Sequence, residues 1–216
     1  MKVLLFGATG MVGQGVLLEC LRDERVEQVL AVGRTPVGRQ HAKLREVVRP
    51  DLSDLSPDDL AGYDACFFCV GVSAAGMREA DYRRITYDLT LAVVRQLSDL
   101  TFVYVSGQGT DSSEHGRMMW ARVKGATENA LLALPLRSFM FRPGFIQPMH
   151  GVRSKTRLYA AIYRASGPLF PMLRRLFPRH FTTTEVMGRA MIEVAAHGTP
   201  KRVLETPDIN KIGATG

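Results

Sequence analysis

The first fifteen residues, MKVLLFGATGMVGQG, constrain the fold more than any other stretch. Val3, Leu4, Leu5 and Phe6 form a short continuous apolar run, the pattern of a strand buried on both faces. Gly7, Gly10, Gly13 and Gly15 follow, and Val12, Val16, Leu17 and Cys20 then recur at helical spacing. The order strand, glycine turn, helix has a physical use. Glycines let backbone approach a phosphate without Cβ clashes, and the helix that follows presents unpaired N–H groups and the positive end of its dipole. Three glycines at this spacing say little alone. Placed between a buried strand and a helix, they point to the pyrophosphate of a dinucleotide.

The rest of the chain repeats the alternation. A helix over 11–21 leads to a second strand over 26–32, which ends at Gly33-Arg34-Thr35. A weaker strand holding Leu44, Val47 and Val48 runs into Asp51-Leu52, and 56–60 reads as a short acidic helix with Pro57 at its first position. A fourth strand, 65–70, ends on Val70-Gly71; a helix over 80–97 carries an apolar stripe of Ile85, Leu89, Val93 and Leu97. The fifth strand, 101–105, reaches Ser106, and a helix over 118–134 separates it from a sixth over 136–141 that ends in Arg142-Pro143-Gly144. Beyond residue 150 the spacing predicts helices over 157–165, 168–177 and 182–196, a last strand at 202–204 and a tail with little pattern. Strands and helices alternating in this way predict an α/β protein with a doubly wound parallel sheet and a small, mostly helical C-terminal lobe. The expected organisation is one domain over 1–216, with a dinucleotide-binding core to about residue 150 and a helical substrate lobe with a terminal strand after it. In such sheets ligands bind at the carboxyl ends of the strands, where the strand order reverses, here between strands one and four.

Composition narrows the alternatives. The 216 residues are 46% apolar and 23% charged, ordinary for a globular protein. No apolar run approaches the roughly 18 residues of a membrane-spanning helix. The first strand begins at the N-terminus with no room for a leader, which predicts a cytoplasmic protein, and three cysteines agree with a reducing compartment. Cys66 and Cys69 form a C-x-x-C, but residues three apart on a strand point to opposite faces, and no second pair completes a metal set. Both are expected to pack as small hydrophobes, and no metal is expected.

The net charge of +7 is uneven: no acidic residue occurs between Glu128 and Glu185. This basic stretch admits three readings: a solvated rim, a field attracting an acidic substrate, or contact with an anionic membrane surface. The last is disfavoured by prolines at 168, 171 and 178, which keep the apolar segments short. Nucleic acid is not expected, because positive charge without a reading module is not enough.

The choice of dinucleotide turns on the end of the second strand. An NAD site places a carboxylate on the adenosine ribose about 20 residues past the glycines. Here no acidic residue occurs between Glu27 and Glu46, and Gly33-Arg34-Thr35 takes the position. A carboxylate would repel a 2′-phosphate, whereas arginine binds it through charge-assisted hydrogen bonds. NADP(H) is therefore expected over NAD(H).

Gly7-Ala8-Thr9-Gly10-Met11-Val12-Gly13 at the start, Ser106 after strand five, Lys124 in a W-x-x-x-K and Arg142-Pro143-Gly144 after strand six together resemble the short-chain dehydrogenase/reductase superfamily. More narrowly the chain resembles its atypical branch, near nucleotide-sugar epimerases and the Tat-interacting-protein group. The resemblance covers residues 1–150 in good register. It implies a Rossmann-type fold and a cofactor site made of Gly7, Thr9, Gly10, Met11, Val12, Gly13, Arg34, Thr35, Asp51, Leu52, Val70, Gly71, Lys124, Arg142, Pro143 and Gly144. It also implies that Ser106 orients the substrate oxygen and that Lys124 holds the nicotinamide ribose. The superfamily's general acid is a tyrosine four residues before that lysine, and here the residue is Trp120. An indole N–H donates a hydrogen bond but cannot shuttle a proton in water. Tyr104, His115, Tyr159, Tyr163 and Lys124 itself are the replacements the sequence offers. Two functions stay open: an NADP(H)-dependent oxidoreductase or epimerase-like enzyme acting on a carbonyl or nucleotide sugar, or an NADP(H)-binding sensor without useful turnover.

Overall fold

The computed structural model describes residues 1–52, 55–56, 60–152, 176–177 and 179–215. The elements run β1 (Lys2–Phe6), α1 (Met11–Arg22), β2 (Gln28–Gly33), β3 (Leu44–Val48), β4 (Ala65–Phe68), α2 (79–94), β5 (Thr101–Val105), α3 (Met119–Ala133), β6 (Arg137–Arg142), β7 (Phe145–Gln147), β8 (Phe181–Thr183), α4 (Thr184–His197), β9 (Val203–Glu205) and α5 (Thr206–Gly213). Seven strands form one sheet in the order β3-β2-β1-β4-β5-β6-β9. Every pairing in it is parallel. The chain winds outward from β1 through β2 and β3, then returns to the other side of β1 through β4. The order therefore reverses between β1 and β4, as the sequence predicts.

Because successive side chains on a strand face opposite ways, β1 feeds two cores. Val3 and Leu5 pack with Val16 and Leu17 of α1, Met187 and Met191 of α4 and Ile209 of α5. Leu4 and Phe6 pack on the other face with Leu91 and Val94 of α2 and Leu131 of α3. The C-x-x-C is split as expected: Cys66 belongs to the second core and Cys69 packs against the first. Burial pushes both thiols up, to about 12 for Cys69, so neither is a nucleophile.

The helical C-terminal part is built onto the same sheet. α4 lies against α1 at backbone distance: a Cβ on Gly15 would stand 2.3 Å from the Thr184 Cβ, and one on Gly188 would stand 2.8 Å from the Glu19 Cβ. Glu19, buried at this crossing, is held by Arg22 at 3.0 Å and Arg189 at 3.2 Å. The two helices expected over 157–165 and 168–177 fall almost wholly outside the described residues, as do most of the helix at 56–60 and Tyr159 and Tyr163. Residues 181–183 are strand, not helix, and pair in parallel with β7 as a separate two-stranded sheet. The patternless tail is α5, whose start is a capping box between Glu205 and Asp208 with Pro207 in the first turn. In α2, Arg84–Asp88 form a π turn inside the expected helix.

Candidate active site

The glycine turn is shaped by close approaches. Gly7 has φ +80°, and a Cβ there would lie 2.7 Å from the Cys69 carbonyl carbon, just past the end of the neighbouring β4. Gly13 lets α1 sit on the turn, since a Cβ would stand 2.1 Å from the Gly7 carbonyl oxygen. Gly10 closes the turn by donating its N–H to the Gly7 carbonyl at 2.9 Å. It also stands at the N-cap of α1, where no side chain caps the helix and no acidic residue occupies the first turn. The first intrahelical bond is Gln14 N–H to Gly10 O, so Met11, Val12 and Gly13 present N–H groups that the helix itself leaves unpaired. A doubly charged pyrophosphate suits such a helix start.

In front of the turn lies a cleft of about 630 Å³. Gly7, Thr9 and Gly10 form one wall, Arg34 and Thr35 the end of β2, Asp51 and Leu52 the stretch after β3, and Val70 and Gly71 the end of β4. These are expected cofactor residues, brought together at the strand ends. Arg34 and Thr35 are exposed there. The cleft also holds a carboxylate that sequence spacing missed. Glu46, on β3 beside Ala31 of β2, lines it and accepts the Val37 N–H at 2.8 Å.

A second group forms where β5, β6 and α3 meet. Ser106 is buried at the end of β5, and its hydroxyl donates to Glu128 Oε1 at 2.5 Å, with the Phe141 carbonyl oxygen 3.1 Å away. Glu128 is fully buried and is gripped by the Arg142 guanidinium through Nε and a terminal nitrogen. Arg142 further donates to Ser112 Oγ at 2.6 Å and pairs with Glu205 at 3.5 Å. The Glu128 carboxylate beside it pushes the arginine still further up. The structure thus turns Ser106 and Arg142 toward Glu128, a residue sequence reading passed over although it lies one helical turn past Lys124. Pro143 and Gly144 lead into β7; the Pro143 carbonyl accepts the Gln108 N–H, and the Gly144 N–H donates to Thr206 Oγ1.

Lys124 extends from α3 to the carbonyl oxygen of Ser106. Burial lowers it to about 8, Glu128 pulling back the other way. Trp120, one turn earlier, lays its ring edge over Gly109: a Cβ on that residue would stand 3.4 Å from the ring. Tyr104 is core, its phenol pushed well up by burial, and so is no proton donor. His115 is exposed in the turn that Asp111 closes through bonds to Ser113 and Gly116.

A doubly wound parallel sheet with a glycine turn at its order reversal is the Rossmann-type arrangement, which short-chain dehydrogenase/reductase proteins share. Solved structures of that fold superimpose over nearly the whole chain. A short-chain dehydrogenase/reductase-family oxidoreductase from Burkholderia thailandensis covers 99% of this chain and 95% of its own, at TM-score 0.66 and 17% identity. A UDP-N-acetylglucosamine 4-epimerase from Methanobrevibacter ruminantium covers 94% and 74%, at 0.68 and 14%. A UDP-glucuronic acid 4-epimerase from Bacillus cereus, solved with NAD, covers 94% and 77%, at 0.67 and 13%. No family model matches the chain. Among curated proteins it is 31% identical over 176 residues to the mitochondrial protein fmp52 of Aspergillus clavatus, covering 76% of this chain and 73% of that one. It is 27% identical over 207 residues to FMP52 of Debaryomyces hansenii, covering 91% and 87%. The chain belongs to the Fmp52 family. These relatives are mitochondrial by name, which overturns the cytoplasmic expectation. The residues at which an N-terminal strand starts do not report a compartment.

Proposed function

We propose that this protein binds NADP(H) in the cleft and acts as an oxidoreductase or epimerase-like enzyme on a small carbonyl or nucleotide-sugar substrate. The observation that carries it is the uncapped start of α1 opening onto a cleft whose far end is lined by Arg34 and Thr35. The residues fit the group: the unpaired N–H groups of Met11, Val12 and Gly13 for the pyrophosphate, Arg34 and Thr35 for a 2′-phosphate, Asp51, Leu52, Val70 and Gly71 around the adenosine. When bound, the dinucleotide supplies a hydride or accepts one. Lys124, Pro143 and Gly144, which do not line the cleft itself, would serve the nicotinamide end and the substrate, and the basic character of the last third favours an acidic substrate.

Fluorescence titration with NADPH and NADH tests this. Tighter NADPH binding is expected. Tighter NADH binding overturns the cofactor assignment, and no binding of either overturns the whole reading. The sensor alternative has one observation in its favour: Trp120 replaces the usual acid while Ser106 is spent on Glu128. A screen of NADPH consumption over carbonyls and nucleotide sugars separates the two, since a sensor binds and does not consume.

A further inference from the structure

Trp120 cannot move a proton, yet reduction of a carbonyl requires one at the substrate oxygen. Resting on the NADP(H) reading above, we infer that Lys124 Nζ is itself the proton-exchanging group, acting on a substrate oxygen seated in the open corner beside Gly107. The corner is a feature of the backbone. Gly107 has φ +147°, a conformation side chains rarely adopt. Among the described residues, and its own chain neighbours aside, a Cβ on it would meet Lys124 Nζ at 3.7 Å and the Pro143 carbonyl oxygen at 3.9 Å. Among the described residues, one donor and one acceptor therefore face this position, the donor also reaching the Ser106 carbonyl oxygen, and Gly107 and Lys124 are both partly exposed.

The charges around Lys124 leave its proton movable. On α3 itself Glu128 is one turn away, but its oxygens are taken by Arg142 and the Ser106 hydroxyl. From β5 come the neutral Ser106 carbonyl and the buried Tyr104 phenol. From β6 comes the Arg142 cation, and from β9 Glu205, which is paired with that arginine. In the loop before α3, Asp111 is lowered by its bonds to Ser113 and Gly116 and sits in its own turn. No carboxylate is left over among these to fix the ammonium, so burial dominates, and the amine is poised near 8. A general acid works best with its titration near the working pH.

The substrate carbonyl carbon accepts hydride, with its electron pair, from a reduced nicotinamide dinucleotide, and the carbon–oxygen π pair moves onto oxygen. That oxygen takes a proton from Lys124 Nζ, whose N–H pair stays on nitrogen. The neutral amine regains a proton from water. Oxidation of an alcohol runs the same steps backwards.

Competitive acetylation of the unaltered full chain with acetic anhydride, read by mass spectrometry across a pH series, titrates each lysine without any turnover. Lys124 is expected to label with a midpoint near 8, below the range of about 10.4 usual for a solvated lysine, and to be protected by saturating NADPH. A Lys124 midpoint in that same range overturns the proposal. Lys124→Arg keeps a cation that cannot release its proton. It is expected to bind NADPH within about threefold of the native protein and to lose turnover by about 100-fold or more. Retained turnover with normal binding overturns this inference alone, whereas failure of the native protein to bind NADPH removes the reading beneath it. A native protein that binds NADPH and consumes none with any substrate also overturns the inference. If Lys124→Arg does not fold, the acetylation midpoint decides.

Discussion

At the scale of single residues, two buried charges on α3 lead to opposite expectations. Glu128 is completed by partners: Arg142, Ser106 and, through the arginine, Ser112 and Glu205. Removing one member leaves a buried charge uncompensated, which typically costs about 3–5 kcal/mol. Glu128→Leu is expected to fall in that range by urea denaturation, and Glu128→Leu with Arg142→Met to recover much of the loss; equal stability of the single variant and the native protein would contradict the geometry. Lys124 is the reverse case, a cation that burial disfavours. Its amine is neutral in the folded state above about 8 and still protonated in the unfolded chain up to about 10.4. In that window the unfolded state binds more protons, so stability rises with pH, by up to about 1.4 kcal/mol per pH unit. Comparing native protein with Lys124→Met isolates this term: the native protein should gain on the variant from roughly pH 8 to 10. A gap that does not change with pH would mean the amine is solvated. The sequence offered Lys124 but not the Glu128 cluster, because partnership between residues 106, 128, 142 and 205 exists only after three strands and a helix have been brought together.

At the scale of elements, the glycines after β1 divide into two jobs that sequence spacing merges. Gly7 and Gly13 make the turn itself, and a Cβ on Gly13 would strike the Gly7 carbonyl at 2.1 Å. Gly15 serves a helix crossing, where a Cβ would strike Thr184 at 2.3 Å. Gly13→Ala should therefore abolish detectable NADPH binding and lower stability. Gly15→Ala should lower stability by about 1–3 kcal/mol, the range for overpacking, yet keep NADPH affinity within about fivefold when measured well below its melting temperature. Equal loss of binding in both variants would mean the helix crossing and the turn are one mechanical unit. The strand–turn–helix order, the parallel sheet and its reversal point were legible because buried strands write continuous apolar runs and α1 writes a 3.6 period. β7 and β8 were not, since three-residue strands carry no period. α5 was missed because only Ile209 and Ile212 mark its apolar face within eight residues and its cap is the unusual Glu205.

At the scale of the whole molecule, cofactor choice is a question of the field at one end of the sheet. The sequence placed Arg34 there by counting from the glycines, and the fold keeps it on the cleft. Counting could not place Glu46, which reaches the same cleft from the next strand only because β3 pairs with β2 in parallel register. The two side chains oppose each other toward a 2′-phosphate. Glu46 is partly spent on the Val37 N–H, whereas Arg34 is exposed beside the cleft, and the chain carries a net charge of +7 that favours anions overall. The balance should fall to the arginine. Arg34→Asp removes one charge-assisted partner and installs a repulsive one, so NADPH affinity is expected to drop about 10- to 100-fold while NADH affinity changes by less than about threefold. Glu46→Gln lifts a repulsion and should improve NADPH binding a few-fold, an effect that shrinks as salt is raised because the site is open to solvent. Fluorescence titrations of both cofactors at low and high salt read all of these together. If Arg34→Asp weakens NADPH and NADH equally, the arginine shapes the loop and does not discriminate, and the proposed preference for the phosphorylated cofactor loses its basis.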